Sequence, residues 1–254
     1  DDAIFHQYDL HPSQLVRGLL ARKIPTVLRS ARSVLCGNDY LRSFAEAQGA
    51  KAIYLPTVVD TDQYRPARPE RTDTLRVGWV GSPSTAKYLE LVAPALRALG
   101  QERPARFISV GSGPPALDGL PVEVRPWRRE RELEDLASFD VGIMPLPDTP
   151  WAQGKCAFKL IQYMATGLPV VASPVGANVQ VVDSTCGFFA STTDEWIAAL
   201  RRIAEDPVAS AELGRNGRRI VEERFSVKSQ EARLAETLIQ AIEGRTPPRS
   251  HSSS

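Results

Sequence analysis

The sequence predicts an α/β protein whose main part is a doubly wound, Rossmann-like parallel sheet. Three observations predict it. Short apolar runs alternate with helical patterns from residue 75 to about residue 205, the order that builds parallel sheets with helices on both faces. The first two runs end in glycine turns, Gly81-Ser-Pro and Gly111-Ser-Gly-Pro. The chain has 254 residues, 43% hydrophobic and 24% charged, an ordinary globular mixture that excludes wholesale disorder.

Predicted strands cover residues 75–80, 106–110, 122–125, 141–144, 170–172 and 187–190. Helical periodicity predicts helices over 86–99, 131–138, 157–165 and 194–205, followed by 208–224 and 227–243. Before this block, residues 13–21 read as a short helix, 33–36 as a strand, 38–48 as a helix capped by Asn38 or Asp39, and 52–55 as a strand ended by Pro56. Two strands do not make a stable sheet, so residues 1–64 read as the tail of a domain that begins earlier. Residues 65–74 are charged and Pro-bearing, which predicts a linker. Residues 75–225 form the main domain and 226–245 a final helix. The Ser-rich 246–254 is expected to be disordered.

A net charge of +1 gives no reason to expect a nucleic-acid partner, so any phosphate-binding surface must be a local patch. The three cysteines, Cys36, Cys156 and Cys186, are widely spaced. They suit neither a disulfide framework nor a zinc site, and fit a reducing compartment. The longest charge-free stretch, 160–182, is broken by Pro169, Pro174, Gly167 and Gly176 and does not read as a membrane span.

Chemistry points to two segments. In Val77-Gly-Trp-Val-Gly-Ser-Pro-Ser-Thr-Ala-Lys87, a glycine turn opens a helix near Ser84. Its free amides, with the Ser84 and Thr85 hydroxyls, suit a phosphate. Lys87 in the first turn is disfavoured by the helix dipole unless an anion is bound. The alternative is a tight turn capped by Ser84. The segment has neither the third glycine and later acid of a dinucleotide fingerprint nor the Gly-Lys-Ser/Thr of an NTPase loop, which argues against NAD and ATP hydrolysis.

In the second segment, Trp151 to Ala172, Lys155, Lys159 and Gln162 fall at i, i+4 and i+7. Such spacing predicts one helical face. Either a pyrophosphate lies between the lysines or the face is solvated. Trp79, Trp127 and Trp151 sit near strand ends, where stacking on a base or sugar competes with ordinary packing. No Gly-x-Ser-x-Gly elbow is present. Cys156 reads as a small buried residue rather than a nucleophile.

Taken together, six ordered motifs resemble the family 4 glycosyltransferases, retaining enzymes with two facing α/β domains (the GT-B architecture). They are Cys36-Gly-Asn-Asp-Tyr-Leu, Leu55-Pro-Thr-Val-Val-Asp60, Arg76-Val-Gly-Trp-Val-Gly-Ser-Pro-Ser-Thr85, Asp140-Val-Gly-Ile-Met-Pro-Leu146, Gly154-Lys-Cys-Ala-Phe-Lys-Leu-Ile-Gln-Tyr-Met-Ala165 and Gly167-Leu-Pro-Val-Val-Ala-Ser-Pro-Val-Gly176. The resemblance implies a C-terminal domain that binds a nucleoside-diphosphate sugar. It matches Lys87 to the family's diphosphate lysine, with Ser82 in place of its arginine. Gln162 and Gly154 stand where two glutamates contact ribose and sugar, and Lys159 fits a subgroup with a lysine there. Residues 1–64 resemble the end of the acceptor domain, with Asp1 where relatives carry a histidine near the reaction centre.

The expected donor-binding residues are therefore Gly81, Ser82, Pro83, Ser84 and Thr85 of the first turn, with Gly111, Trp127, Trp151, Lys155, Phe158 and Gln162. Lys87, Lys159 and Asp1 are the expected catalytic groups. No metal or cofactor is expected beyond the donor itself. The implied acceptor is a glycan, lipid carrier or small molecule, in the cytoplasm or at the inner face of a membrane reached through the preceding part of the acceptor domain. Two other readings are a nucleotide-sugar-binding module without turnover and a nucleotide-sugar epimerase of the same architecture.

Overall fold

A computed structural model describes residues 2–66, 72–113 and 120–243. Asp1, part of the linker and the Ser-rich tail lie outside the described residues. The first unit holds two short parallel strands, β1 (Val34–Cys36) and β2 (Ala52–Tyr54). The second is a parallel six-stranded sheet built from β3 (Leu75–Val80), β4 (Ala105–Val110), β5 (Val122–Arg125), β6 (Val141–Met144), β7 (Val170–Ala172) and β8 (Gly187–Phe189). Its order is β5-β4-β3-β6-β7-β8. The chain therefore winds outward from β3 in one direction and from β6 in the other, so β3 and β6 meet at the switch point.

These strands are apolar on both faces because helices cover both faces. On one side, helices Phe158–Ala165 and Pro207–Arg224 bury a cluster around Phe139, Tyr163, Leu160 and Phe225. On the other, helices Ala93–Glu102 and Thr193–Glu205 bury Leu96, Leu99, Trp196 and Leu200. Helix Thr193–Glu205 starts with a capping box between Thr192 and Glu195, and Asp206 caps Pro207–Arg224. Glycines let these layers close. A Cβ at Gly142 would lie 2.4 Å from the Tyr163 ring.

Two predicted helices differ in the structure. The helix expected over 86–99 is a 3-10 segment, Ala86–Leu91, followed by an α-helix, Ala93–Glu102. Pro94 is the cause: it has no amide hydrogen to donate to the preceding turn, so the ladder is interrupted there and an α-helix restarts with proline in its first turn. The helix expected from 157 begins at Phe158, because Ala157 adopts φ 55°, in the left-handed region. Short helices at His6–Asp9, Lys23–Ser30, Pro150–Gln153 and Asn178–Val181 carry too little periodicity to be predicted.

The two units are tied together at the carboxyl end of β6. Asn38 caps helix Asp39–Ala47 through Leu41 N (2.8 Å), and its amide donates to the carbonyls of Gln153 (3.1 Å) and Lys155 (3.0 Å). Cys156 packs in the first unit's cluster with Ala3, Phe5 and Cys36. The connecting segment is held by Arg218, which donates to the carbonyls of Thr61 (2.9 Å), Ala165 (2.6 Å) and Tyr64. Helix Val227–Glu243 returns to the first unit, where the Arg32 guanidinium donates to Ala241 O at 3.0 Å.

Candidate functional site

The β3–β6 ladder pairs Val77 with Val141 and Gly78 with Gly142, and beyond it the strands diverge. The amide of Val80 is satisfied instead by the buried Tyr163 hydroxyl, which accepts at 2.8 Å. Burial pushes that phenol's pKa up, so it stays neutral. Tyr163→Phe should orphan a buried amide and cost about 1–3 kcal/mol, seen as a lower midpoint in chemical denaturation. The divergence opens a cleft of about 530 Å³ outside the carboxyl ends of β3, β4 and β6, where ligands gather in open α/β sheets.

Of the predicted donor-binding residues, Gly81, Ser82, Pro83, Thr85, Gly111, Trp127, Lys155 and Phe158 line this cleft, as does Lys159. In the first turn, the Ser82 hydroxyl meets those of Ser84 (2.9 Å) and Thr85 (3.2 Å). Ser84 does not cap a helix: a 3-10 turn follows, with Thr85 at its N-cap position and no side-chain cap. A Cβ at Gly81 would lie 2.1 Å from the Trp79 ring, and one at Gly111 would lie 2.4 Å from the Gly81 carbonyl oxygen. Trp79 is 5% exposed and belongs to the core, so packing is its use. Trp127 is different. It is 48% exposed at the cleft.

Five placements depart from expectation, the first being Ser84, which lies outside the cleft wall. Lys155 is not on the helical face of Lys159 and Gln162, because the left-handed Ala157 separates it from the helix. It pairs instead with Asp2 across the cleft, at 3.3 Å. Lys87 is exposed and not part of the cleft wall, with its Nζ 5.7 Å from the ring of Tyr88. Trp151 likewise lies off the wall, beneath the Lys155 ammonium. Gln162, only 1% exposed, is also absent from the wall, and its side chain is spent on internal partners. Asp1 lies outside the described residues.

Gln162 Nε2 donates to Tyr64 Oη (2.7 Å) and Glu132 Oε1 (3.0 Å), while its Oε1 accepts from Lys159 Nζ (3.1 Å). Burial lowers the pKa of Lys159, with Glu132 opposing that shift. For Glu132, burial works against the charge, but hydrogen bonds from Tyr64, Trp127 and Gln162 outweigh it and hold the carboxyl below its usual value. Tyr64 is pushed up to about 12 by burial and by its bond to Glu132. Neither Tyr64 nor Glu132 was marked by the sequence. Gln162→Glu would place a second carboxylate against Glu132, and a shared proton would raise the pair's folded pKa. Stability of that variant, relative to the parent, should fall as pH rises from about 4 to 7, because the folded pair then gives up its extra proton. Thermal melts across that range check this.

Gly154 stands where the resemblance sets a glutamate. A Cβ there would lie 2.3 Å from Ala3 Cβ and 2.6 Å from Ala3 N, so the first unit fills the space a longer side chain would need. Burial pushes the Cys156 thiol up, which leaves it protonated and a poor nucleophile. Among the described residues, no group of three His, Cys, Asp or Glu side chains could hold a metal ion.

The model of the Glycosyl transferases group 1 family matches residues 74–206, which carry both walls of the cleft apart from Asp2. The chain belongs to the glycosyl transferases group 1 family. Among solved structures, a sucrose-phosphate synthase from Thermosynechococcus elongatus aligns over 96% of this chain and 66% of its own, at 17% identity and TM-score 0.74. Anabaena HepE, in complex with UDP and glucose, aligns over 89% of this chain and 69% of its own, at 18% identity and TM-score 0.70. A glycosyltransferase from Rickettsia africae covers 87% and 68%, at 14% identity and TM-score 0.72. The fold of this group 1 glycosyltransferase is thus that of the GT-B enzymes, and the chain spans about two thirds of the length of these structures. No curated protein sequence matches the chain. Among its described residues, no helix is long and apolar enough to cross a membrane.

Proposed function

We propose that the chain is the donor-binding part of a retaining family 4 glycosyltransferase, which moves a sugar from a nucleoside-diphosphate sugar to a glycan, lipid-carrier or small-molecule acceptor. The observation that carries this reading is the half-buried Lys159 ammonium in a cleft at the switch point, beside the start of helix Phe158–Ala165. Free amides of that helix and a lysine held in low dielectric suit a diphosphate. HepE with UDP and glucose, and a pneumococcal O-GlcNAc transferase with UDP and GlcNAc, support the choice of donor class.

In the reaction, the bond from the anomeric carbon to the diphosphate oxygen breaks, the acceptor oxygen takes its place, and the acceptor hydroxyl's proton passes to the leaving diphosphate. The leaving diphosphate gains negative charge, which Lys159 and the preorganised amides stabilise. A bound diphosphate also raises the pKa that burial has lowered, so Lys159 is charged when it is needed. Trp127 supplies an exposed aromatic face for the base or sugar, and the hydroxyls of Ser82 and Thr85 supply neutral contacts. Residues 1–64 belong to the acceptor side, with Asp2 its described contribution to the cleft.

Gly154 favours a second reading, a nucleotide-sugar-binding module without turnover, because no carboxylate can stand at that position without displacing Ala3. One experiment separates the two. Incubation with a panel of nucleotide sugars, followed by mass spectrometry and NMR of the released sugar, should yield nucleoside diphosphate and a product with the donor's anomeric configuration. Binding without release across the panel favours the module. Inversion at the anomeric carbon removes the retaining assignment.

A further inference from the structure

Glu132 opens the helix Glu132–Ala137 and does not line the cleft, yet two cleft residues depend on it. Its Oε1 accepts from the Trp127 indole N–H at 3.1 Å and from Gln162 Nε2 at 3.0 Å, and its Oε2 accepts from Tyr64 Oη at 2.6 Å. Gln162 passes the contact on, since its Oε1 accepts from Lys159 Nζ at 3.1 Å. The amide orientation is dictated by its neighbours: a lysine ammonium can only donate and a carboxylate can only accept. Four segments of the chain meet here: the connecting segment at Tyr64, the turn after β5 at Trp127, and two helices.

We infer that Glu132 is the positioning residue of the cleft, holding the Trp127 ring directly and the Lys159 ammonium through Gln162. The inference rests on the donor reading above and adds to it a carboxylate that never touches the donor. It also accounts for glutamine at position 162. A glutamate there would pair with Lys159 but repel Glu132, whereas the neutral amide donates to one and accepts from the other. The charged and titratable groups facing Lys159 within this network are Glu132 and Tyr64, with Arg129 acting on Tyr64. Asp2 and Lys155 line the same cleft as a pair of their own.

Two variants test the role: Glu132→Gln, which keeps the shape and removes the charge, and Glu132→Asp, which keeps the charge. The first readout needs no nucleotide. NMR titration of the lysine side chains, with Lys159→Arg for assignment, should show the Lys159 midpoint falling by about one pH unit in Glu132→Gln, the lower end of one nearby charge's effect. Glu132→Asp should restore much of it. The second readout is UDP affinity, expected to weaken about tenfold in Glu132→Gln, with altered Trp127 fluorescence by difference from Trp127→Phe. A Lys159 midpoint and UDP affinity both unchanged in Glu132→Gln, beside a lower melting temperature, would overturn the inference and leave Glu132 a structural residue. A parent chain that binds none of UDP, GDP, ADP and dTDP would overturn the donor reading. The Lys159 midpoint decides the positioning role separately.

Discussion

Replacement of Lys159 by methionine should weaken UDP binding ten- to a hundredfold, about 1.5–3 kcal/mol, the scale of a charge-assisted hydrogen bond. The same change should move the melting temperature at neutral pH little, because relief of a buried charge is offset by the cost, about 1–3 kcal/mol, of orphaning the buried Gln162 Oε1. Lys159 is buried enough for its pKa to lie below the usual 10.5, so the folded chain holds its proton less tightly than the unfolded chain. The charge is therefore a standing cost below the folded pKa, and stability rises with pH from that value towards 10.5. Methionine fills similar space without the charge, at the loss of one hydrogen bond to Gln162. Calorimetric titration and thermal melts from pH 7 to 10 check both parts. A variant that melts lower and still binds UDP normally would make Lys159 a structural residue.

Gly111→Ala is expected to have the largest effect on stability, about 2–4 kcal/mol by urea denaturation. Gly111 holds φ at +82°, where an L side chain is strained, and a Cβ would lie 2.4 Å from the carbonyl oxygen of Gly81 and 3.1 Å from Trp127 Cβ. Neither neighbour can give way easily. Gly81 rests on the Trp79 ring, and Trp127 is tied to Glu132. The strain should therefore reach the cleft, and UDP affinity should fall with stability even in conditions where the variant is folded. A well-folded variant with unaltered binding would show that this turn is looser than its contacts imply.

The sheet was legible because its strands are buried on both faces and so appear as short continuous apolar runs, such as Val141-Gly-Ile-Met144, closed by proline or glycine. The first turn was legible for a related reason: Gly81 and Gly111 are needed where two backbones approach closely. Other features depend on contacts between distant segments. Glu132 sits in the run Arg128-Arg-Glu-Arg-Glu-Leu-Glu-Asp135, where one acid resembles the next until Tyr64 and Gln162 are folded against it. Tyr64 borders a charged linker and carries no periodic signal. The lysine face failed because it assumed a helix through residue 155. An alanine in left-handed geometry leaves no mark in the sequence, and Ala157 breaks the helix there. The dipole argument for Lys87 requires an α-helix after the glycine turn, but that turn leads into a 3-10 segment, where side-chain directions differ from those of an α-helix.

Calorimetric titration of the chain with UDP, UMP and uridine tests the central claim most directly, because the three ligands share a base and ribose and differ in phosphate. Binding in the β3–β6 cleft predicts a single site with affinity rising from uridine to UMP to UDP, and most of the UDP advantage lost in Lys159→Met. Equal affinity for all three ligands, or a UDP advantage untouched by Lys159→Met, would contradict a diphosphate held at this helix start.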